Sequence, residues 1–354
     1  MNTKEQAEKK QMSIGGFLGL LFGIIALACI LVMALVIIVD PFFQYHAPLK
    51  NFPYLIDDQL SQNPGLARNT TYNAVSLGSS VTTDYHVTWF QDLFGLDVVK
   101  LPYNGAYPRD IANAVEQADR SKNDIQAIFI GVDIAGYTAD PNETKYPLPE
   151  YLYDKNPFND VSYWFNKDVL MKYVFNKALL HADQNGTDPL DYYSNYAYLT
   201  YSEEHVRSVV KIPETRKEMA PADTVREPFE KNWEVILKPM IESHPETTFY
   251  FYFPPRSILY WYIQLQNGSL DSLLYEEKLF TKHLLAYENV EVHFLQNDAE
   301  TILDLSHYTD ETHFDQGISY KVLQWIKEGT YKATKDNYEA YLSDLKALTE
   351  SYEP

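Results

Sequence analysis

The chain has 354 residues, 45% of them hydrophobic, and 29 Lys plus Arg against 49 Asp plus Glu give a formal net charge of −20. A surface this acidic argues against nucleic acid, whose binders neutralise phosphates, and against adsorption to anionic lipid. The one cysteine, Cys29, leaves no intramolecular disulfide and no thiolate metal site.

The first element is an uncharged apolar run over residues 14–39. As a helix rising about 1.5 Å per residue it exceeds the roughly 30 Å of a bilayer's hydrocarbon core, so it reads as a transmembrane helix. Lys4, Lys9 and Lys10 precede it. The positive-inside rule therefore places residues 1–13 in the cytoplasm as a short tail and the rest of the chain outside, a single-pass arrangement in the cell membrane. Phe42, Phe43 and Tyr45 follow Asp40-Pro41 and suit the headgroup layer. Ala26-Leu27-Ala28 and Ala28-Cys29 offer cleavage readings. A cut at either would strand an apolar stub up to Val39, whereas a signal peptide ends its apolar core before a polar stretch, so an uncleaved anchor is favoured.

Residues 40–71 carry Pro48, Pro53 and Pro64-Gly65 and read as an irregular stem. Beyond it, strands are expected over 72–77, 97–101 and 127–130, with a helix over 109–119 marked by Ile111, Ala114, Val115 and Ala118. The rhythm breaks over 137–230, rich in Tyr, Pro, Asn and Asp, which reads as an insertion or lid with a short helix near 169–180. Many of the chain's 29 tyrosines sit there, either as a carbohydrate-binding surface or as a half-buried packing layer. Helices are then expected over 229–243, 270–287 and 318–328, the last with Asp315 as N-cap, and strands over 248–253 and 290–294. Alternating strand and helix imply crossover units and a parallel α/β sheet across 72–331, followed by a helical tail over 332–354.

Three places suit chemistry. Gly78-Ser79-Ser80 ends the first strand. There a tight turn can expose a serine Oγ and offer its own N–H to an oxyanion. Asp310-Glu311-Thr312-His313 precedes the 318–328 helix, and a carboxylate three residues before an imidazole can fix its tautomer and stabilise the imidazolium. Asp304-Leu305-Ser306-His307 has the same spacing, but His313 has the better context, on a loop beside Phe314. Asn104-Gly105 follows the second strand, where a glycine N–H can meet developing negative charge.

Together these blocks resemble the SGNH/GDSL hydrolase superfamily over about residues 72–331, the insertion excepted. The anchor, Gln62-Asn63-Pro64-Gly65 with Arg68, and the Gly78-Ser79-Ser80 turn look like a membrane-anchored bacterial branch of it. The resemblance implies a three-layer α/β/α flavodoxin-like fold with its active site at the C-terminal edge of the sheet. It implies Ser80 as nucleophile, His313 as base, Asp310 as acid partner, and Ser80 with Gly105 as oxyanion donors, with no metal or cofactor. Two positions depart from the family pattern. Gly-Asp-Ser is here Gly78-Ser79-Ser80, and the block after the third strand, normally Gly-x-Asn-Asp, is Gly131-Val132-Asp133. An ionised carboxylate only accepts hydrogen bonds and would repel an oxyanion. Either Asp133 is protonated or turned away, or Asn104 supplies the donor, or acyl chemistry is weak or absent.

Arg256, at the end of Phe251-Tyr252-Phe253-Pro254-Pro255, is a candidate for meeting an anionic substrate, with a structural loop as the blander reading. His46 reads as interfacial. The expected function is a membrane-anchored extracytoplasmic serine esterase or O-acyltransferase on cell-envelope glycans. Its partners would be a cell-surface polysaccharide or membrane-linked glycan intermediate and, through the anchor, the bilayer. The alternative is a catalytically inactive binding or assembly module of the same fold.

Overall fold

Helix α1 spans Ile14–Val39 and is long and apolar enough to cross a membrane. The structure, a computed structural model, describes residues 13–50, 52, 54–179, 193 and 199–354. Lys4, Lys9 and Lys10, on which the orientation of the anchor rests, and Tyr192, Tyr196 and Tyr198 lie outside the described residues.

The end of α1 is built into the folded domain. Val36 is fully buried in a cluster with Phe42, Leu152, Tyr163 and Val169. Asp40, in the left-handed region at φ 45°, caps the helix through its N–H to the Val36 carbonyl. Its carboxylate accepts from the N–H groups of Gln44, Tyr45 and His46 and from the Tyr163 hydroxyl at 2.7–3.1 Å. Burial raises the Asp40 pKa, opposed by those backbone donors.

The segment expected to be irregular contains helix α2, Gln59–Asn69, N-capped by Asp58, whose side chain accepts from the Ser61 N–H. Proline inside a helix removes an N–H and leaves a carbonyl four residues earlier unmatched. Here the unmatched Leu60 carbonyl accepts from the Tyr153 hydroxyl at 2.8 Å. Gly65 is required by contact: a Cβ there would lie 1.9 Å from the Phe42 carbonyl oxygen. Gln62 accepts from the N–H groups of Asp57 and Asp58 and donates to the carbonyls of Pro41 and Leu55. Asn63 donates to the Pro102 carbonyl and accepts from the Tyr193 hydroxyl. The Gln-Asn-Pro-Gly run is therefore a joint between the end of α1 and the loop after the second strand.

The sheet comprises β1 (Ala74–Gly78), β2 (Val98–Lys100), β3 (Ala127–Gly131), β4 (Thr248–Phe253) and β5 (Val290–Phe294), all parallel, in the order β2-β1-β3-β4-β5. Every residue of β1, β2 and β3 is buried, as expected of a parallel sheet covered on both faces. Alternation along β4 identifies the layers. Phe251 and Phe253 pack on Phe280 of the helix Leu270–Leu284, while Tyr250 points to the opposite face and meets Phe94 of the helix Val87–Phe94. The fold is thus a three-layer α/β/α sandwich, in agreement with the expected class.

In chain order the covering helices are α3 (Val87–Phe94), α4 (Pro108–Asp119), α5 (226–242, with a π-helical middle at Trp233–Leu237), α6 (Ile258–Asn267), α7 (Leu270–Leu284), α8 (Gln316–Glu328) and α9 (Tyr338–Ser351). Helix α9 lies on the domain: Tyr341 packs 5.7 Å from Phe294, and Lys346 pairs with Asp271 at 2.6 Å. In the insertion, Val169–Leu179 is π-helical. Tyr137, Tyr153, Tyr163 and Tyr173 are buried there, so at these positions the tyrosines form a packing layer.

Candidate active site

The strand order turns back between β1 and β3, and in open α/β sheets ligands collect beyond the carboxyl ends of the strands at such a point. Ser80 stands there. Gly78 takes φ +143°, which reverses the chain directly after β1, and Ser80–Thr82 continue as one turn of 3-10 helix. The turn is fixed from behind. The hydroxyls of Thr82 and Thr83 donate to the carbonyls of Ser79 and Ser80 at 2.8 and 2.7 Å. Lys100, fully buried on β2, donates from Nζ to the Thr83 carbonyl at 3.0 Å. Ser79 is buried whereas Ser80 is half-buried, so of the two serines only Ser80 is presented to a ligand.

Asp310 and His313 come from the loop before α8. A bridge between Tyr308 and Phe314 closes that loop, and the Thr309 N–H donates to the His313 carbonyl at 3.0 Å. The chain after β4 supports it. The Tyr308 hydroxyl donates to the Pro255 carbonyl, and the Ser257 hydroxyl and N–H both donate to the Glu311 carbonyl. Asp315 then caps α8 through the Ile318 N–H at 3.0 Å.

These supports bring Ser80 Oγ to 2.7 Å from His313 Nε2, and His313 Nδ1 to 2.7 Å from Asp310 Oδ2. The other carboxylate oxygen, Oδ1, accepts from the N–H groups of Thr312 and His313, each at 2.7 Å. Burial opposes charge on Asp310, but its bonds to His313 and these N–H groups outweigh burial and hold its pKa below the ordinary carboxylate value. The second Asp-x-x-His match is separate from this chain of contacts. His307 Nδ1 bonds instead to Asp315 at 2.6 Å, with Asp304 3.8 Å from the other nitrogen.

The loop after β2 lies against the serine turn, with the Tyr103 N–H donating to the Gly78 carbonyl at 2.9 Å. Gly105 takes φ +67°. Among the described residues, the backbone N–H groups of Ser80 and Gly105 donate to nothing. Asn104 is held by Gln59, which accepts from its N–H at 2.8 Å and donates to its Oδ1 at 3.2 Å. A cleft of about 340 Å³ opens beside this loop, lined among others by Gln59, Asn104, Lys145, Tyr146 and Lys172.

Asp133 and Arg256, met separately in the sequence, form a pair: Arg256 Nη2 lies 2.8 Å from Asp133 Oδ1. Arg256 is 6% exposed and its guanidinium lies 4.4 Å over the Tyr260 ring. Beneath it α7 buries two adjacent acids, Glu276 and Glu277. Burial pushes Glu277 up to about 8, opposed by the Gln296 amide, bonded at 2.7 Å, and by the Arg256 charge. Burial also holds Glu276 well above its ordinary value, with the charge of Glu277 adding to it. Sequence reasoning passed over Lys100, Glu276 and Glu277. A lysine inside Val98-Val99-Lys100-Leu101 was the available sign for the first, since a strand covered on both faces has no solvent for it.

No family model matches the chain, and no curated protein matches it. Among solved structures, one described as a "putative platelet activating factor from Streptococcus pneumonia" is similar at a TM-score of 0.40 and 14% identity, covering 77% of this chain and 90% of that one. A likeness this distant bears on nothing that follows.

Proposed function

We propose that the chain is a membrane-anchored serine esterase or O-acyltransferase acting outside the cytoplasm on acyl groups of cell-envelope glycans. The observation that supports it best is the Ser80–His313–Asp310 chain, two contacts of 2.7 Å in the order nucleophile, base, acid. Ser80 Oγ attacks the acyl carbonyl as His313 Nε2 takes its proton. Asp310 holds the Nδ1–H tautomer and stabilises the imidazolium. The unengaged N–H groups of Ser80 and Gly105 are the donors for the oxyanion. The leaving alkoxide recovers the proton from His313, and acyl-Ser80 passes its acyl group to water or to a sugar hydroxyl.

Asp133 does not weigh against this reading, because Arg256 opposes its charge at 2.8 Å. The rival reading, an inactive binding module, was motivated by Asp133 as a carboxylate at the position of the family's oxyanion-donating asparagine. The cleft with Lys145, Tyr146 and Lys172 is the subsite proposed for the glycan. An extracytoplasmic site follows from an uncleaved α1 with its N-terminus inside.

The test uses the full chain in neutral detergent with 4-nitrophenyl acetate. The expected result is a burst of nitrophenolate equal to the protein present, absent in Ser80→Ala, followed by turnover that an oligosaccharide acceptor accelerates if the enzyme is a transferase. Hydrolysis by Ser80→Ala at the parent's rate would overturn the reading.

A further inference from the structure

A second cavity, of about 660 Å³, lies at the opposite edge of the sheet from Ser80. Its walls include Asn69, Thr70 and Thr71, which lead into β1, and Ser121, Lys122 and Asn123 ahead of β3, so it opens at the amino ends of the strands. Four cations line it, Arg68, Arg120, Lys122 and Lys155, against two carboxylates, Asp154 and Asp160.

The carboxylates are already occupied. Asp154 accepts from the Asn156 N–H at 2.8 Å and the Asn159 amide at 2.6 Å, and Asp160 accepts from the Tyr45 hydroxyl at 2.8 Å. The cations are not neutralised: among the described residues, none of the four has a carboxylate within 4.0 Å. Neutral oxygens aim the two guanidinium groups. Arg68 donates to Gln44 and to the carbonyls of Leu152 and Asp154, and Arg120 to Gln117 and the Tyr153 carbonyl. Burial, and then the like charge of Arg120, lower the Arg68 pKa. In a chain of net charge −20, four cations facing one cavity against two carboxylates, none of the four ion-paired among the described residues, are set for an anion.

The cavity's place narrows the source. Gln44 and Tyr45 line it, and their N–H groups are bonded to Asp40, which caps α1. The cavity therefore sits at a fixed position beside the end of the membrane-spanning segment. We infer that it binds a phosphate group carried by a membrane-linked molecule, as a site separate from Ser80 and independent of any chemistry there. Arginine forks match phosphate oxygens, and the four cations outnumber the carboxylates by the charge of a phosphate monoester.

The full chain in neutral detergent, at constant ionic strength, is titrated with two probes and followed by calorimetry and thermal midpoint. The probes are dihexanoyl phosphatidic acid, a soluble lipid phosphate, and inorganic phosphate. Saturable binding of the lipid phosphate is expected, tighter than that of inorganic phosphate, and weakened about tenfold or more in Lys122→Gln/Lys155→Gln. Both lysines are exposed, so this variant keeps the fold, and Ser80-dependent nitrophenolate release should be unchanged in it. Inorganic phosphate binding as tightly as the lipid would contradict a membrane-linked source. No saturable binding of either probe, or an unchanged affinity in the double variant, would overturn the site.

Discussion

Replacing Ser80 or His313 by alanine should lower kcat for a small acyl ester by about 10⁴-fold or more, with the two losses far from additive in the double variant, because the residues act as one unit. Asp310→Asn should leave the fold intact, yet cost a comparable factor, since an amide can stabilise the wrong imidazole tautomer. Steady-state rates on the three single variants and the Ser80/His313 double variant check this. A full-strength Asp310→Asn enzyme would contradict the assigned order of contacts. At this scale much was legible from the chain. The Gly78–Ser80 turn and the Asp310–His313 spacing are local patterns, and local geometry brought the Asp310 and His313 side chains together. What no local pattern carried was the pairing of Asp133 with Arg256, because the two residues meet only when β3 and β4 lie side by side. The same holds for Gln59 on Asn104, which engages a residue that sequence alone left open as an oxyanion donor.

Helix α2 shows why one element escaped the sequence. Its run Gln59–Asn69 holds a proline and a glycine and has no apolar stripe, so neither propensity nor periodicity marks it. What holds it is tertiary: the Tyr153 hydroxyl on the Leu60 carbonyl, Gln62 and Asn63 on distant carbonyls, and the close pass of Gly65 beneath Phe42. Gly65→Ala should therefore destabilise the chain by about 1–3 kcal/mol through overpacking against backbone that cannot yield, read as a lowered thermal midpoint. An unchanged midpoint would mean that the contact is slack. Helix α7 carries a second expectation. Glu277 has a folded pKa of about 8 against an ordinary 4.5, so the folded chain holds a proton there that the unfolded chain releases. Stability from this group is full below the unfolded value and falls as pH rises toward the folded one, by about 1.4 kcal/mol per unit across that window. Glu277→Gln should flatten the decline of the midpoint between pH 5 and pH 8. An identical slope in parent and variant would contradict the assignment.

Across the whole molecule, α1 and the sheet form one packed body, because Val36, Asp40 and Phe42 are buried among α1, α2 and the insertion. The chain reading had placed a stem there, on the strength of its prolines. The packing instead fixes the domain at the end of α1, with the phosphate-class cavity beside it and Ser80 across the sheet. A chain shortened to begin at residue 47 loses the Asp40 clamp and should melt at a lower temperature than one beginning at residue 40, and equal midpoints would show that the clamp is dispensable. The strand order came only with the structure, while the parallel α/β class followed from the alternation of apolar strands and amphipathic helices. The rigid junction did not, since it depends on buried polar contacts between residues more than 100 positions apart. The most direct test of a serine nucleophile facing outward is labelling of intact cells with a membrane-impermeant fluorophosphonate, followed by mapping of the adduct. The expected result is an adduct on Ser80 in the parent and none in Ser80→Ala. Equal labelling of Ser80→Ala, or a parent that stays unlabelled even after lysis, would contradict it.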